Sequence, residues 1–260
     1  MLNENYLDGY IYHMTHFDNL RSILKSGTLL SQQELNSQSL GARSIANYEV
    51  QNLRKRIYVW EPSENRYRAL HSYVPFYFTP QTPMLRNQRN NGIQNELVIF
   101  EINRAYIESP GVLFTDGNAS NQQLSRSSGE KVKIVPATAS NNTCRRTYFP
   151  NGQPLGTNTN RSDFYADVAL LDHVNWNVIN GRFFIEDFEE YKRLKHAEVL
   201  VPDRFPLDEM QTICVSTEIM VDRVKKVFAG LGLTEQYFDL PVVHTYIRQT
   251  YLVSTGYRLI

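Results

Sequence analysis

An α+β domain built on a mixed β-sheet is the fold class the sequence predicts, as a single domain over residues 1–260. Three observations lead there: the β-forming runs are short, they lie far apart in the chain, and helical segments separate them without any internal repeat. At 260 residues, with 42% of them hydrophobic, the chain can bury a full core without disulfides or a structural metal.

Tyr10-Ile-Tyr-His-Met-Thr15 alternates as a strand does. Asp18 to Lys25 then places Leu20, Ile23 and Leu24 on one helical face, with Gly27 as the stop. Ser37 to Arg56 reads as a second, polar helical stretch interrupted by Gly41. Tyr73-Val-Pro-Phe-Tyr-Phe78 is strongly β-forming, but Pro75 places it at an edge or a bulge. Leu97–Ile102, Glu198–Val201 and Ile213–Val215 are further strands, and Phe188–His196 is a charged helix leading into the second of them. Between Thr115 and Arg161 Ser, Asn, Thr, Gln and Gly dominate, with an apolar period only around Val132–Val135, which predicts a polar insertion or substrate loop.

Lys plus Arg equals Asp plus Glu at 27 each, so a nucleic-acid contact would need a local basic patch rather than a global field. Cys144 and Cys214 form no CxxC, and neither His13 nor His16 has a thiol nearby, so no metal is expected. A reducing, cytoplasmic setting is the simple reading, with no membrane contact: residues 1–6 lack the layout of a secretory signal and no run is long enough to span a bilayer.

No GxGxxG, Walker loop, HExxH or GxSxG occurs, so the chemistry rests on scattered residues. Four blocks stand out: Tyr12-His-Met-Thr-His16 with Asp18-Asn-Leu20; Gln51-Asn-Leu-Arg-Lys-Arg56; His71-Ser-Tyr-Val-Pro-Phe-Tyr-Phe-Thr-Pro80; and Arg193-Leu-Lys-His-Ala-Glu-Val-Leu-Val-Pro202. Taken singly, each has an ordinary explanation: a strand histidine, a solvated arginine, core aromatics, a strand-edge glutamate.

Together and in this order, the blocks resemble the DarT-type DNA ADP-ribosyltransferase toxins of DarTG toxin–antitoxin systems, whose pattern is H-x-T-H-x-D-N-L, Q-x-x-R, H-x-Y-V-P-F-Y-F-x-P and A-E-x-L-V-P. Phe114-Thr-Asp-Gly-Asn-Ala119 and Leu171-Asp-His-Val-Asn-Trp176 also look like that family, and the resemblance runs from about Tyr10 to about Val215. Residues from about 218 to 260 match no recognised pattern and read as a C-terminal extension.

The resemblance implies an ADP-ribosyltransferase-like split mixed sheet with flanking helices that grips NAD⁺ as co-substrate. It gives Glu198 and Arg54 as the catalytic pair. His13, Met14, Thr15, Leu30, Arg54, Tyr73 and Phe76 become the NAD⁺-binding set. The residue types suit these roles: a carboxylate stabilises the positive charge that develops on the ribose as the nicotinamide bond breaks. A guanidinium stays protonated, which makes its role electrostatic.

Transfer to a nucleobase in single-stranded DNA follows from the same resemblance, thymine being the first expectation and guanine the second, with a macrodomain antitoxin of the DarG kind as partner. The DNA contacts are assigned to Arg145, Arg146, Arg161, Arg182, Lys192 and Arg193, with stacking from Tyr148 or Trp176. The rival expectations are a transferase of the same fold acting on RNA or protein, and a catalytically silent NAD⁺- or nucleic-acid-binding module.

Overall fold

The computed structural model describes residues 6–122, 124, 129–149, 161–181, 188–233 and 242–243. Strand β1 (Tyr10–His16) passes through a 3-10 turn into helix α1 (Leu20–Ser26). Gly27 stops that helix in a left-handed conformation, φ 67°, where a side chain would be strained. β2 (Thr28–Leu30), α2 (Gln32–Ser37) and α3 (Tyr48–Arg54) follow.

The polar helix expected over 37–56 is thus confined to its ends, because residues 38–47 form none. Asn47 starts α3 by accepting the Glu49 N–H at 2.8 Å.

Next come β3 (Ile57–Glu61), β4 (Arg66–Ala69), β5 (Tyr73–Tyr77), α4 (Pro83–Asn90), β6 (Leu97–Asn103) and β7 (Leu113–Thr115). β8 (Lys131–Val135), β9 (Arg145–Phe149) and β10 (Phe164–Tyr165) lead to α5 (Trp176–Asn180) and α6 (Phe188–Lys195). The chain closes with β11 (Glu198–Pro202), β12 (Arg204–Pro206), β13 (Met210–Cys214), α7 (Glu218–Leu231) and β14 (Val242–Val243).

The strands form an eight-stranded sheet in the order β10-β7-β11-β5-β1-β6-β13-β14, a four-stranded sheet β4-β3-β8-β9 and a β12-β2 pair. Both larger sheets are mixed, since β13–β14 and β3–β8 are parallel while their other neighbours are antiparallel. Pro75 therefore sits on a strand central in the sheet order, not at the expected edge. The exception has a local cause. β1 and β5 register at one pair only, Tyr12 with Tyr77. The N and C=O of one strand residue point to the same side, and the Pro75 carbonyl takes the His13 Nδ1–H at 2.8 Å, across the opening between the two strands. The missing N–H of Pro75 thus falls where the sheet splits.

Strand alternation sorts the core. Val74, Phe76, Phe114, Val199 and Val201 enter a cluster with Leu20 and Leu24 of α1 and Met220, Val224 and Phe228 of α7. Tyr73, Leu113 and Leu200 face the other way, against Ile57, Val59, Val132 and Ile134 of the four-stranded sheet. Two expectations are corrected here. The supposed insertion over 115–161 contributes two strands of the second sheet, β8 and β9, and the polar letters of β8, Lys131 and Lys133, belong to an outward face. Residues 123, 125–128 and 150–160 of that stretch lie outside the described residues. The supposed C-terminal extension opens with α7, a core helix whose three buried side chains are each worth about 1.5–3 kcal/mol. Residues 234–241 and 244–260 of that extension lie outside the described residues.

Candidate active site

Glu198 is the first residue of β11 and is 2% exposed; Arg54 is the last residue of α3 and is 7% exposed. They lie 144 residues apart, yet Arg54 Nη1 donates to Glu198 Oε2 at 2.8 Å. The other carboxylate oxygen, Oε1, accepts the Ala119 N–H at 3.0 Å. Thr115, in the neighbouring strand, accepts the Glu198 N–H on its hydroxyl at 3.0 Å and donates that hydroxyl to the Gly117 carbonyl at 2.6 Å. The sheet fixes the glutamate backbone, and the loop 115–120 fixes its side chain.

A cavity of about 270 Å³ opens over this pair, lined among others by His13, Met14, Tyr77, Asn118, Ser120 and His196. Two buried polar atoms on its wall have no partner, Arg54 Nη2 and Ser120 Oγ. A native fold rarely leaves such atoms unpaired unless a ligand meets them. A second cavity, about 410 Å³, shares His13 and adds Thr15 and Leu30. His13 lines both cavities, so they adjoin at that residue beside the split between β1 and β5. Thr15 Oγ1 accepts from Asn19 Nδ2 at 3.0 Å, and Asn19 Oδ1 accepts the Arg43 N–H at 2.8 Å, tying the segment around Arg43 to β1.

Tyr73 and Phe76 are placed differently from the expectation. They are 1% and 0% exposed and line neither cavity. Phe76 packs on Phe205, and its ring centroid lies 5.5 Å from that of His13; Tyr73 sits in the core between the sheets. The same alternation turns Pro75 and Tyr77 to the cavity instead.

The loop that grips Glu198 is held from behind by charges. Arg193 is 7% exposed and reaches Glu190 through Nε and Nη2, and Asp116 and Ser162 through Nη1. Its carbonyl accepts the Asn118 N–H at 2.9 Å. Arg146 binds Gln122, the Ser162 carbonyl and Asp163.

Arg146 and Arg193, expected at the DNA, are therefore committed inward, where burial requires a partner for each cation. Lys192 pairs with Glu189 at 2.8 Å, Arg145 is exposed, Arg161 is half-buried and Arg182 lies outside the described residues. Trp176 donates to the Leu171 carbonyl and stacks on Tyr6, so it packs the fold; the Tyr148 hydroxyl donates to the Gln122 carbonyl.

Gly117 is demanded by this crowding. A Cβ there would lie 2.6 Å from Arg193 Nη1, 2.8 Å from Ser162 Oγ and 2.9 Å from the Arg193 carbonyl oxygen. Gly117→Ala must displace the loop that presents Ala119 to Glu198. The expected result is a cost of about 1–3 kcal/mol in stability and at least a tenfold fall in kcat, read from a denaturation curve and a nicotinamide-release assay.

Two histidines beside the pair are held neutral. Burial pulls His196 down to about 4; its Nδ1 donates to the Lys192 carbonyl and its Nε2 accepts the Met84 N–H, pinning α4 to the turn before Glu198. Burial, helped by Arg54 and Lys55, pulls His71 down to about 4 as well. A histidine whose folded pKa is depressed stabilises the fold above its unfolded value of about 6.5, and the contribution disappears as pH falls from there to the folded value. The denaturation midpoint is therefore expected to drop as pH goes from about 6.5 toward about 4. A His196→Asn variant should show a shallower slope across that window. An unchanged slope would remove His196 from the account.

The residues that sequence reasoning passed over are Ser120, Tyr77, His196 and the Ala119 amide. All four lie inside or beside quoted segments, and the strand faces and the loop path bring these atoms to the cavity or to Glu198.

A family model described as "ssDNA thymidine ADP-ribosyltransferase, DarT" matches residues 12–135 and 132–246, well past the point where the sequence blocks end. A DNA ADP-ribosyl transferase of Thermus aquaticus is 43% identical over 228 residues, 84% of this chain and 80% of that protein. A DNA ADP-ribosyl transferase of Thermus sp. (strain 2.9) is 47% identical over 75 residues, 29% of this chain and 33% of that one. A DNA ADP-ribosyl transferase–glycohydrolase fusion protein of Thermosipho africanus is 30% identical over 126 residues, 48% of this chain and 31% of its own length. The chain thus matches about a third of the length of these last two relatives. In fold, it superposes on Thermus sp. 2.9 DarT in complex with ADP-ribosylated ssDNA with a TM-score of 0.65 at 24% identity, over 91% of this chain and 93% of that one. The split sheet, the buried arginine–glutamate pair and the match over most of the length agree: the chain belongs to the DarT family of NAD⁺-dependent DNA ADP-ribosyltransferases.

Proposed function

We propose that this chain transfers ADP-ribose from NAD⁺ to thymine in single-stranded DNA, releasing nicotinamide. The observation that supports it best is the Arg54–Glu198 ion pair on the wall of a cavity that also holds two unpartnered donors, Arg54 Nη2 and Ser120 Oγ. NAD⁺ supplies an electrophilic ribose carbon once its nicotinamide bond loosens. Glu198, held on both oxygens, keeps a lone pair on each and offers a fixed negative charge to the ribose as positive charge grows there. Arg54 orients that carboxylate with one nitrogen and leaves Nη2 to bind an oxygen of the substrate or of a base losing its ring proton.

His13 donates Nδ1–H to Pro75, so its Nε2 is the acceptor toward the cleft, and burial lowers its pKa, which keeps it neutral. His13 and Met14 would hold the nicotinamide half, and Thr15 and Leu30 the ADP half, in line with the two cavities. Phe76 would act only by supporting the His13 ring, and Tyr73 only through the core. A single strand suits the reaction because pairing hides the ring edge of the base.

The wider reading is a cytoplasmic toxin that blocks replication and is countered by a macrodomain antitoxin able to remove the mark. The transferase–glycohydrolase fusion in Thermosipho africanus supports that pairing. Among the described residues no helix is long and apolar enough to cross a membrane.

The test incubates the protein with labelled NAD⁺ and single-stranded DNA and RNA oligonucleotides that each lack one base. Label on DNA that disappears only when thymine is missing supports the proposal. Loss only with guanine replaces thymine by guanine; label confined to RNA or to protein moves the acceptor to those polymers.

A further inference from the structure

We infer that the outer face of the four-stranded sheet β4-β3-β8-β9 is a sequence-tolerant platform for single-stranded DNA, holding the strand beyond the nucleotide that enters the cavity. It rests on the single-stranded DNA reading above and adds a surface to it.

The sheet register places its components. The inward residues Ile57, Val59, Val132 and Ile134 are fully buried, so their neighbours Tyr58, Trp60, Lys131 and Lys133 point outward. Tyr67 pairs with Trp60, and Lys133 with Tyr58, on that same outer face. Arg145 pairs with Val135 at the far edge and is exposed.

Three aromatic rings and three cations are thereby interleaved on one surface. Trp60 and Tyr67 meet edge to face with centroids 5.1 Å apart; Lys133 Nζ lies 4.5 Å from the Tyr67 centroid and Lys131 Nζ 5.5 Å from that of Tyr58.

The acidic groups nearby are mostly spoken for. Glu61 turns inward and binds Arg68, and Glu64, at the β3–β4 turn, is paired with Arg66 and Arg68. Glu130 precedes β8 and is exposed. A solvent-facing sheet that mixes rings with lysines fits a polymer that alternates flat bases with phosphates, because bases stack on rings whatever their sequence and each cation displaces a counterion. The face also begins close to the chemistry: Tyr58 follows Arg54 by four residues, at most about 14 Å of chain.

The chain has two tryptophans, and Trp176 is half-buried against Leu171, Tyr6 and Phe78, away from this sheet, which makes Trp60 the reporter of this face. Oligo-dT of about 4 and about 16 nucleotides is titrated without NAD⁺ while tryptophan fluorescence is followed. The longer strand is expected to quench it, and Trp60→Phe to abolish the quenching.

In the transfer assay, Lys131→Gln/Lys133→Gln should raise KM for the longer oligonucleotide about tenfold. It should leave kcat, KM for NAD⁺ and KM for the shorter oligonucleotide unchanged, and reduce the salt slope of binding by about 0.7 per lysine. An unchanged KM for the longer strand, or equal quenching by duplex DNA of the same length, would overturn the inference. If the unmodified protein labels no DNA at all, the proposed function fails instead, and the fluorescence titration still reports on the platform.

Discussion

Glu198→Gln is expected to lower both nicotinamide release and DNA labelling by about 100- to 1,000-fold, the scale of losing a preorganised charge at the reacting centre. The substitution keeps size and one carbonyl oxygen, so the Ala119 amide can still be satisfied at the Oε1 position. What disappears is the negative charge, and with it the stabilisation of a positive ribose. The new amide NH₂ also faces Arg54 Nη1, donor against donor, so some stability is lost as well. Activity is therefore to be measured well below the melting temperature, alongside NAD⁺ binding by calorimetry. Intact binding with abolished turnover is the outcome expected of a carboxylate that acts on the transition state. If turnover falls by less than tenfold while binding holds, the carboxylate is not the group that stabilises the charge.

Arg54→Met should be more damaging to the fold than to any single contact. The two side chains are 8% and 3% exposed, so removing the cation leaves a carboxylate buried and uncompensated, at a cost of about 3–5 kcal/mol. The double variant Arg54→Met/Glu198→Gln should recover much of that stability, since neither charge remains, and none of the activity. Arg54→Lys offers the complementary case: it keeps the charge but not the planar fork, so one nitrogen must choose between Glu198 and the ligand that Nη2 would meet. Greater stability than Arg54→Met with activity still far below the unmodified enzyme is the expected pattern. Additive stability effects in the double variant would mean that the pair is not coupled and that Arg54 matters only to substrate.

Much of the fold was legible because its signals are local. The alternation of Tyr10–Thr15, the Gly27 stop and the apolar Leu97–Ile102 run each settle an element within a few residues, and each appears in the structure. The reading failed where the deciding contact is distant. Ser37–Arg56 reads as a polar helix interrupted at Gly41, but residues 38–47 form no helix at all, and the stretch is tied to β1 through Asn19 and Arg43. Val132–Val135 showed an apolar period, but nothing near it announces that β3 will be its parallel partner. Pro75 was read at an edge or a bulge on its missing N–H, and it lies on a strand central in the sheet order, beside the place where the sheet splits.

By itself the sequence determined the fold class and singled out Glu198 and Arg54, which the fold brings together as a buried ion pair. Residue type and order survive without coordinates, and a glutamate before an apolar strand or a glycine after a helix carries its reason with it. Only the tertiary structure decided which side of each strand faces the cleft, so that Tyr77 rather than Phe76 lines it. It also decided which arginines are spent, since Arg146 and Arg193 look like surface cations in the sequence and become buried ties for the loop that holds Glu198. The physical reason is the same in both cases: burial and pairing belong to neighbours in space, and a strand 144 residues away from its partner helix writes nothing about that meeting into the letters on either side.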